Sequence, residues 1–145
     1  MAFRAFYALP PDNFVTATGQ HTNAVYGFVS MLTRLLETEK PTHIAVAFDV
    51  SRHSFRTEEY PEYKGTRDAT PEEFKGQVEL IREVLEAMGI VSLSREGFEA
   101  DDILATLAYR AGNDGASVLV VSGDRDSFQT VTDNVTVLYP GTGPG

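Results

Sequence analysis

Two short acidic runs are the residues in this chain best suited to chemistry. Glu99-Ala100-Asp101-Asp102 opens an amphipathic segment, and Gly123-Asp124-Arg125-Asp126 follows the next apolar run. Carboxylates on two neighbouring elements repel one another unless a positive group sits among them, and a hard divalent cation takes oxygen ligands of this kind. The pattern points to a Mg²⁺- or Mn²⁺-dependent site used for phosphate chemistry. A plainer reading exists for each run. Acidic residues favour helix N-termini through the dipole, and Gly and Asp favour turns. The dipole accounts for one or two acids, and a turn accounts for Gly123 and one Asp. Neither accounts for a third acid at the helix start together with a second Asp bracketing Arg125. On a helix beginning near Glu99, Glu99 and Asp102 stand ~60° apart, with Ala100, Ile103, Leu104 and Leu107 on the other side. Asp49, after Phe48, reads equally well as a turn or helix cap.

The other reactive types offer less. The segment from Arg52 to Arg67 carries Arg52, His53, Arg56, Lys64 and Arg67 interleaved with Phe55, Tyr60 and Tyr63. Cations on phosphates and aromatic faces on bases hold single strands without sequence preference. Glu58, Glu59 and Glu62 cancel much of that charge, so a solvated loop fits the composition equally well. His21 and His43 have no partner at metal-ligand spacing. Ser122 lacks a Gly-x-Ser-x-Gly elbow and an adjacent His, which argues against a nucleophilic serine. With no cysteine, thiolate nucleophiles and zinc-thiolate sites are excluded.

The elements that must position these acids alternate helix and strand. Thr22 is placed to cap a helix to about Glu37, with Val25, Phe28, Val29, Leu32, Leu35 and Leu36 at helical period. His43 to Phe48 reads as a buried strand ending at Asp49. Thr70-Pro71-Glu72-Glu73 reads as a helix start with a capping box, and Phe74, Val78, Ile81, Leu85 and Met88 then share a face until Gly89. Ile90–Leu93 is a short strand, Glu99–Ala111 a helix, Val118–Val121 a strand buried on both faces, and Val135–Tyr139 a last strand. The first residues read as helix-like. Strands separated by helices imply a mostly parallel sheet, whose sites gather at the carboxyl ends of its strands. Asp49, Glu99–Asp102 and Asp124/Asp126 all fall there.

At 145 residues the chain fits one domain with a real core. Its formal net charge of −9 argues against a protein that coats nucleic acid by bulk electrostatics. It leaves room for a nucleic-acid enzyme whose carboxylates are offset by bound metal. No run is long and apolar enough to cross a bilayer.

Five segments in order then resemble a known family: Thr22-Asn23-Ala24-Val25-Tyr26-Gly27-Phe28, Ala47-Phe48-Asp49, Tyr63-Lys64-Gly65-Thr66-Arg67, Gly97-Phe98-Glu99-Ala100-Asp101-Asp102 and Gly123-Asp124-Arg125-Asp126-Ser127-Phe128-Gln129. They are similar to the 5′ nuclease (5′-3′ exonuclease) domain of bacterial DNA polymerase I, part of the flap endonuclease superfamily, in an actinobacterial form. The resemblance runs from about Ala2 to Pro140. It implies an α/β, PIN-like fold, a mostly parallel sheet with helices on both faces, lacking the family's first strand and C-terminal duplex-binding region. Residues 1–140 form a partial domain in this reading, and 141–145 a Gly/Pro-rich end.

The function implied is metal-dependent hydrolysis of phosphodiesters at DNA 5′ ends and flaps, in replication and repair, including removal of Okazaki-fragment primers. The resemblance assigns Asp49, Glu99, Asp101, Asp102, Asp124 and Asp126 to the metals, two Mg²⁺ or Mn²⁺ ions in the complete domain. Catalysis falls to Asp102, Lys64 and Arg67, the last two at the base of a helical arch. DNA contacts fall to Tyr26, Arg52, Arg56, Tyr63, Lys64 and Arg67. Partners implied are DNA with a 5′ end or flap and a polymerase domain in the full-length product, in a bacterial cytoplasm and away from membranes. Gln129-Thr130-Val131 departs from the family, which usually has an apolar residue at the Thr. Because the missing first strand is expected to lie inside the sheet and to carry a metal-ligand Asp, residues 1–145 alone are expected to be poorly folded or self-associating, and inactive. Two rival readings remain. One is a DNA-binding remnant without catalysis. The other is an aspartyl-phosphate phosphatase, against which Ser122-Gly123 separate the strand from Asp124.

Overall fold

A computed structural model of the chain describes residues 1–50 and 71–139. In order, these form helix α1 (Ala2–Ala8), α2 (Asn23–Glu39), strand β1 (Ala45–Ala47), α3 (Gln77–Ala87), β2 (Val91–Leu93), α4 (Ala100–Asn113), β3 (Val118–Val121) and β4 (Val135–Leu138). Short 3₁₀ segments occupy Pro11–Asn13, Glu72–Phe74 and Arg125–Thr130. Strand β1 pairs with β2, and β3 with β4. The described residues fall into two compact units, one of residues 1–45 and 71–92, the other of 46–50 and 93–139.

The first unit is helical. Phe6, Ala24 and Phe74 form its core, with Ala2 and Val78 packed against them. The rings of Phe6 and Phe74 meet edge to face at 5.5 Å, the geometry their quadrupoles favour. Helices α1 and α2 approach closely because Gly27 has no side chain: a Cβ there would stand 3.1 Å from that of Ala5. Helix α3 contributes Ile81 and Leu85, both fully buried. It ends at Gly89, at φ 75°, as its sequence implies.

Two helix starts differ from expectation, for one reason. Thr22 does occupy the cap position of α2, but its side chain makes no cap bond and donates instead to the Phe14 carbonyl at 3.3 Å. The orphan amides of α2 are met by a residue from α3: Gln77 Oε1 accepts from Ala24 N at 2.7 Å and Val25 N at 3.2 Å. Gln77 Nε2 donates to Asn23 Oδ1 and to the Glu73 carbonyl, each at 2.8 Å. Asn23 in turn donates to the carbonyls of Phe6 and Leu9. Both amides are 0 % exposed, so each bond replaces one that water cannot make. The Pro71-Glu72-Glu73 run yields only the 3₁₀ turn Glu72–Phe74, and α3 begins at Gln77 after Gly76 at φ 80°. The left-handed glycine breaks the turn from the helix and brings Gln77 to α2. Thr70 lies outside the described residues.

The second unit is a parallel strand pair covered by a helix. Strands β3 and β4 run in register from Val118 opposite Val135 to Val121 opposite Leu138. Ala108 of α4 packs on Val120 and Val135, with Leu104, Val118 and Val137 around them. Gly112 lets α4 sit low on β4, since a Cβ there would be 3.1 Å from a Val135 methyl. Strand β3 is not buried on both faces as its apolar run suggests. Val120 is 4 % exposed and its neighbour Leu119 37 %, the alternation of a strand covered on one side. Strand β1 is likewise shorter and more open than a buried strand, with Ala45 exposed and Val46 and Ala47 half-buried.

Candidate functional site

Both acidic runs belong to the second unit, with Asp49. The start of α4 is built from side chain to backbone. Glu99 is the N-cap in extended conformation, and it forms a capping box with Asp102. Glu99 accepts from the Asp102 amide, and the Glu99 amide donates back to Asp102 Oδ2 at 2.8 Å. Reciprocal bonds of this kind satisfy two orphan donors at once. The helix therefore begins at Ala100 rather than Glu99 and runs two residues past Ala111, to Asn113. Asp49, reaching from the end of β1, accepts the Ala100 amide on Oδ1 at 2.7 Å. The path of the chain into Asp49 is set by the bond from Phe48 N to the Leu93 carbonyl at 2.8 Å.

Asp101 points the other way, to the end of β3. Ser122, 4 % exposed, donates its hydroxyl to Asp101 Oδ1 at 3.4 Å and accepts the Asp124 amide at 3.1 Å. Asp124 then caps the turn Arg125–Thr130 by accepting from Asp126 N at 2.8 Å. The carboxyls of Asp101 and Asp124 lie close enough to share a hydrogen bond. Burial above all, then that bond and repulsion from Asp124, then repulsion from Asp49, push Asp101 up from 3.8 to about 6, while the Ser122 hydroxyl acts the opposite way. A carboxylate raised by burial and by two like charges favours whatever neutralises it, a proton or a cation.

The six acids the resemblance assigns to metal thus meet different surroundings. Asp101 and Asp124 come together, with Asp49 near enough to act on Asp101. Glu99 and Asp102 bond the backbone of their own helix start, and Asp126 is exposed on the turn. Among the described residues, no three His, Asp or Glu side chains are gathered as a ready cluster for an ion. Tyr26 is in the first unit, 58 % exposed, its ring 5.2 Å from that of Phe14. It lines an open groove of about 660 Å³ with Phe14, Thr22 and Val25. Arg52, Arg56, Tyr63, Lys64 and Arg67 lie outside the described residues. The residue that sequence reasoning weighed only as a nucleophile is Ser122, which instead joins the two acid-bearing elements. Its signal was its place, a hydroxyl two residues before an Asp at a strand end.

Three comparisons bear on this geometry. The model of the family described as 5′-3′ exonuclease, N-terminal resolvase-like domain matches residues 1–143. DNA polymerase I of Mycobacterium bovis is 62 % identical over 143 residues, 99 % of this chain and 16 % of that protein. The chain therefore spans about a sixth of the length of such relatives. The crystal structure of the T5 D15 protein with metal ions superposes with a TM-score of 0.61 at 28 % identity, covering 79 % of this chain and 47 % of that one. The T5 D15 flap endonuclease in a pseudo-enzyme-product complex with DNA and metal ions gives 0.59 at 27 %, covering 79 % and 46 %. The architecture shared with these structures is the α/β, PIN-like one.

Proposed function

Because the chain belongs to the family of 5′-3′ exonuclease N-terminal, resolvase-like domains, we propose that it supplies the acidic half of a metal-dependent 5′ nuclease. The substrate in this reading is DNA with a 5′ end or flap. The observation that carries it is the Asp101–Asp124 pair, at the start of α4 and just past the end of β3, with Asp49 near enough to repel Asp101. The donor set fits a hard divalent ion, because its members are oxygens and one of them, Asp101, is held above its ordinary range by burial and by its acidic neighbours. Asp101, Asp124, Asp49 and Asp126 would hold the metal, with Glu99 and Asp102 behind them. Mg²⁺ or Mn²⁺ bound there supplies an activated water and stabilises charge on the leaving 3′-oxygen.

This chain's own residues have separate tasks in that scheme. Ser122 and the capping bonds hold the carboxyls in place, so little reorganisation is needed when charge develops. Lys64 and Arg67 neutralise the scissile phosphate, and Tyr26 offers an aromatic face to a base. Arg52, Arg56 and Tyr63 track the strand. The wider role follows the polymerase relatives: removal of primers and flaps in replication and repair, in a bacterial cytoplasm, beside a polymerase region of the same product.

The test is cleavage of a 5′-labelled flap duplex by the gene product carrying this chain, with Mg²⁺ titrated against a chelator. Products released from the 5′ side, lost on chelation and restored by Mg²⁺ or Mn²⁺, are expected. Binding of the flap with no cleavage at any Mg²⁺ or Mn²⁺ concentration would leave only a DNA-binding role. A trapped phosphoryl group on Asp124 would replace the nuclease reading with a phosphatase.

A further inference from the structure

We propose that Asp49 acts on the acidic pair through the backbone of α4: one carboxylate oxygen clamps the first amide of that helix and so fixes where Asp101 projects. The inference deepens the metal-site reading and rests on it. Its basis is a bond between residues 51 positions apart. Asp49 Oδ1 accepts from Ala100 N at 2.7 Å. Ala100 is the first residue of α4, and its amide is one of the orphan donors every helix start must satisfy. Glu99 supplies its own side chain to the amide of Asp102, so the cap residue is already engaged and the Ala100 amide needs an outside acceptor. An ionised carboxylate on a backbone N–H at a helix start is among the stronger hydrogen bonds, and it gains further from the helix dipole.

Consequences follow from the position of the next residue. Asp101 is bonded in sequence to the clamped Ala100, and its carboxyl meets Ser122 and Asp124 from that fixed point. Asp49 has a second oxygen, Oδ2, for which the described residues provide no hydrogen bond. The division of labour is therefore within one side chain: Oδ1 positions α4, and Oδ2 is left for a cation. A residue acting only as a ligand has no need of the first bond. One acting only as a helix cap has no need to stand close enough to repel Asp101.

The two roles separate in a pair of variants. Asp49→Asn keeps an oxygen that accepts from Ala100 N and loses the charge. Asp49→Ala loses both. The first readout needs no metal: amide exchange and temperature coefficients by NMR on the metal-free protein. The Ala100 amide should exchange about tenfold faster in Asp49→Ala and near the parent rate in Asp49→Asn. The amide of Ala108, in the packed middle of α4, should be unchanged in both and shows that each variant is folded. The second readout is Mn²⁺ affinity by calorimetry. Asp49→Asn should bind Mn²⁺ more weakly than the parent, and Asp49→Ala about tenfold more weakly again. Equal Mn²⁺ affinities in the two variants, or an Ala100 amide that exchanges at the parent rate in Asp49→Ala, overturns the clamp. A parent protein that binds no Mn²⁺ at all overturns the metal reading instead, and the exchange measurement then decides the clamp by itself.

Discussion

Lowering the pH should weaken divalent-metal binding at a point set by Asp101. Its carboxyl is pushed up to about 6, first by burial and then by Asp124 and Asp49. A cation that needs this carboxylate must compete with its proton. With a midpoint of about 6, Asp101 is about nine-tenths ionised at pH 7 and about one-tenth at pH 5. Apparent Mn²⁺ affinity should therefore fall about tenfold across those two pH units from this one group. Asp124→Asn removes a like charge but leaves the burial, which is the larger cause. Asp101 should then drop only part of the way. Binding should be weaker at every pH, yet change less between pH 7 and 5 than in the parent. The sign for folding is opposite to that of a salt-bridged acid. The group's folded pKa is raised above 3.8, so its contribution to metal-free stability is present below 3.8 and is lost as pH rises through about 6. Calorimetric Mn²⁺ titrations at pH 5, 6 and 7, with thermal melts of the metal-free protein alongside, measure both effects. A parent affinity equal within twofold at pH 5 and pH 7 would refute the reasoning, because Asp101 would then not be shared between proton and metal.

Three further outcomes are expected. Asp102→Asn keeps an oxygen for the Glu99 amide, so the helix start should survive while flap cleavage falls at least about a hundredfold with binding retained; rates within a few-fold of the parent at saturating Mg²⁺ remove Asp102 from the site. Lys64→Ala should slow single-turnover cleavage more than it weakens flap binding, since a charge aimed at the scissile phosphate acts mostly in the transition state; an equal loss in binding with no loss in the bound-state rate would make Lys64 a residue that only places the strand. Gln77→Leu should destabilise the fold by about 2–4 kcal/mol in urea melts, because it strips buried partners from the Ala24 amide, Asn23 and the Glu73 carbonyl; a loss under about 1 kcal/mol would show that water or Asn23 takes over the cap.

Much of the molecule was legible in one dimension because the signals are local. Apolar spacing at 3.6 residues placed α2 and α3, short apolar runs placed the strands, and turn chemistry after each strand placed the acids at strand ends. Five ordered motifs carried the family. Gly89 ended its helix as its sequence implied. These inferences concern neighbours within a few residues, where backbone preference and side-chain period decide the outcome.

What the tertiary structure decided is which oxygen goes to which hydrogen. Thr22 had the right type for a local cap, yet Gln77 caps α2 from 53 residues away. The penalty for a buried amide without an acceptor is larger than any local propensity, so the partner that arrives in space prevails over the one nearest in sequence. The acids follow the same rule. Glu99 and Asp102 satisfy each other within one turn, which a capping-box pattern could have told. Asp49 reaches Ala100 across 51 residues. Ser122 reaches Asp101 across 21. Asp101 meets Asp124 only because α4 lies against β3. The acidic character of the site is written in the sequence, but its pairing is not, because repulsion, burial and capping act on distances that exist only after the chain has folded.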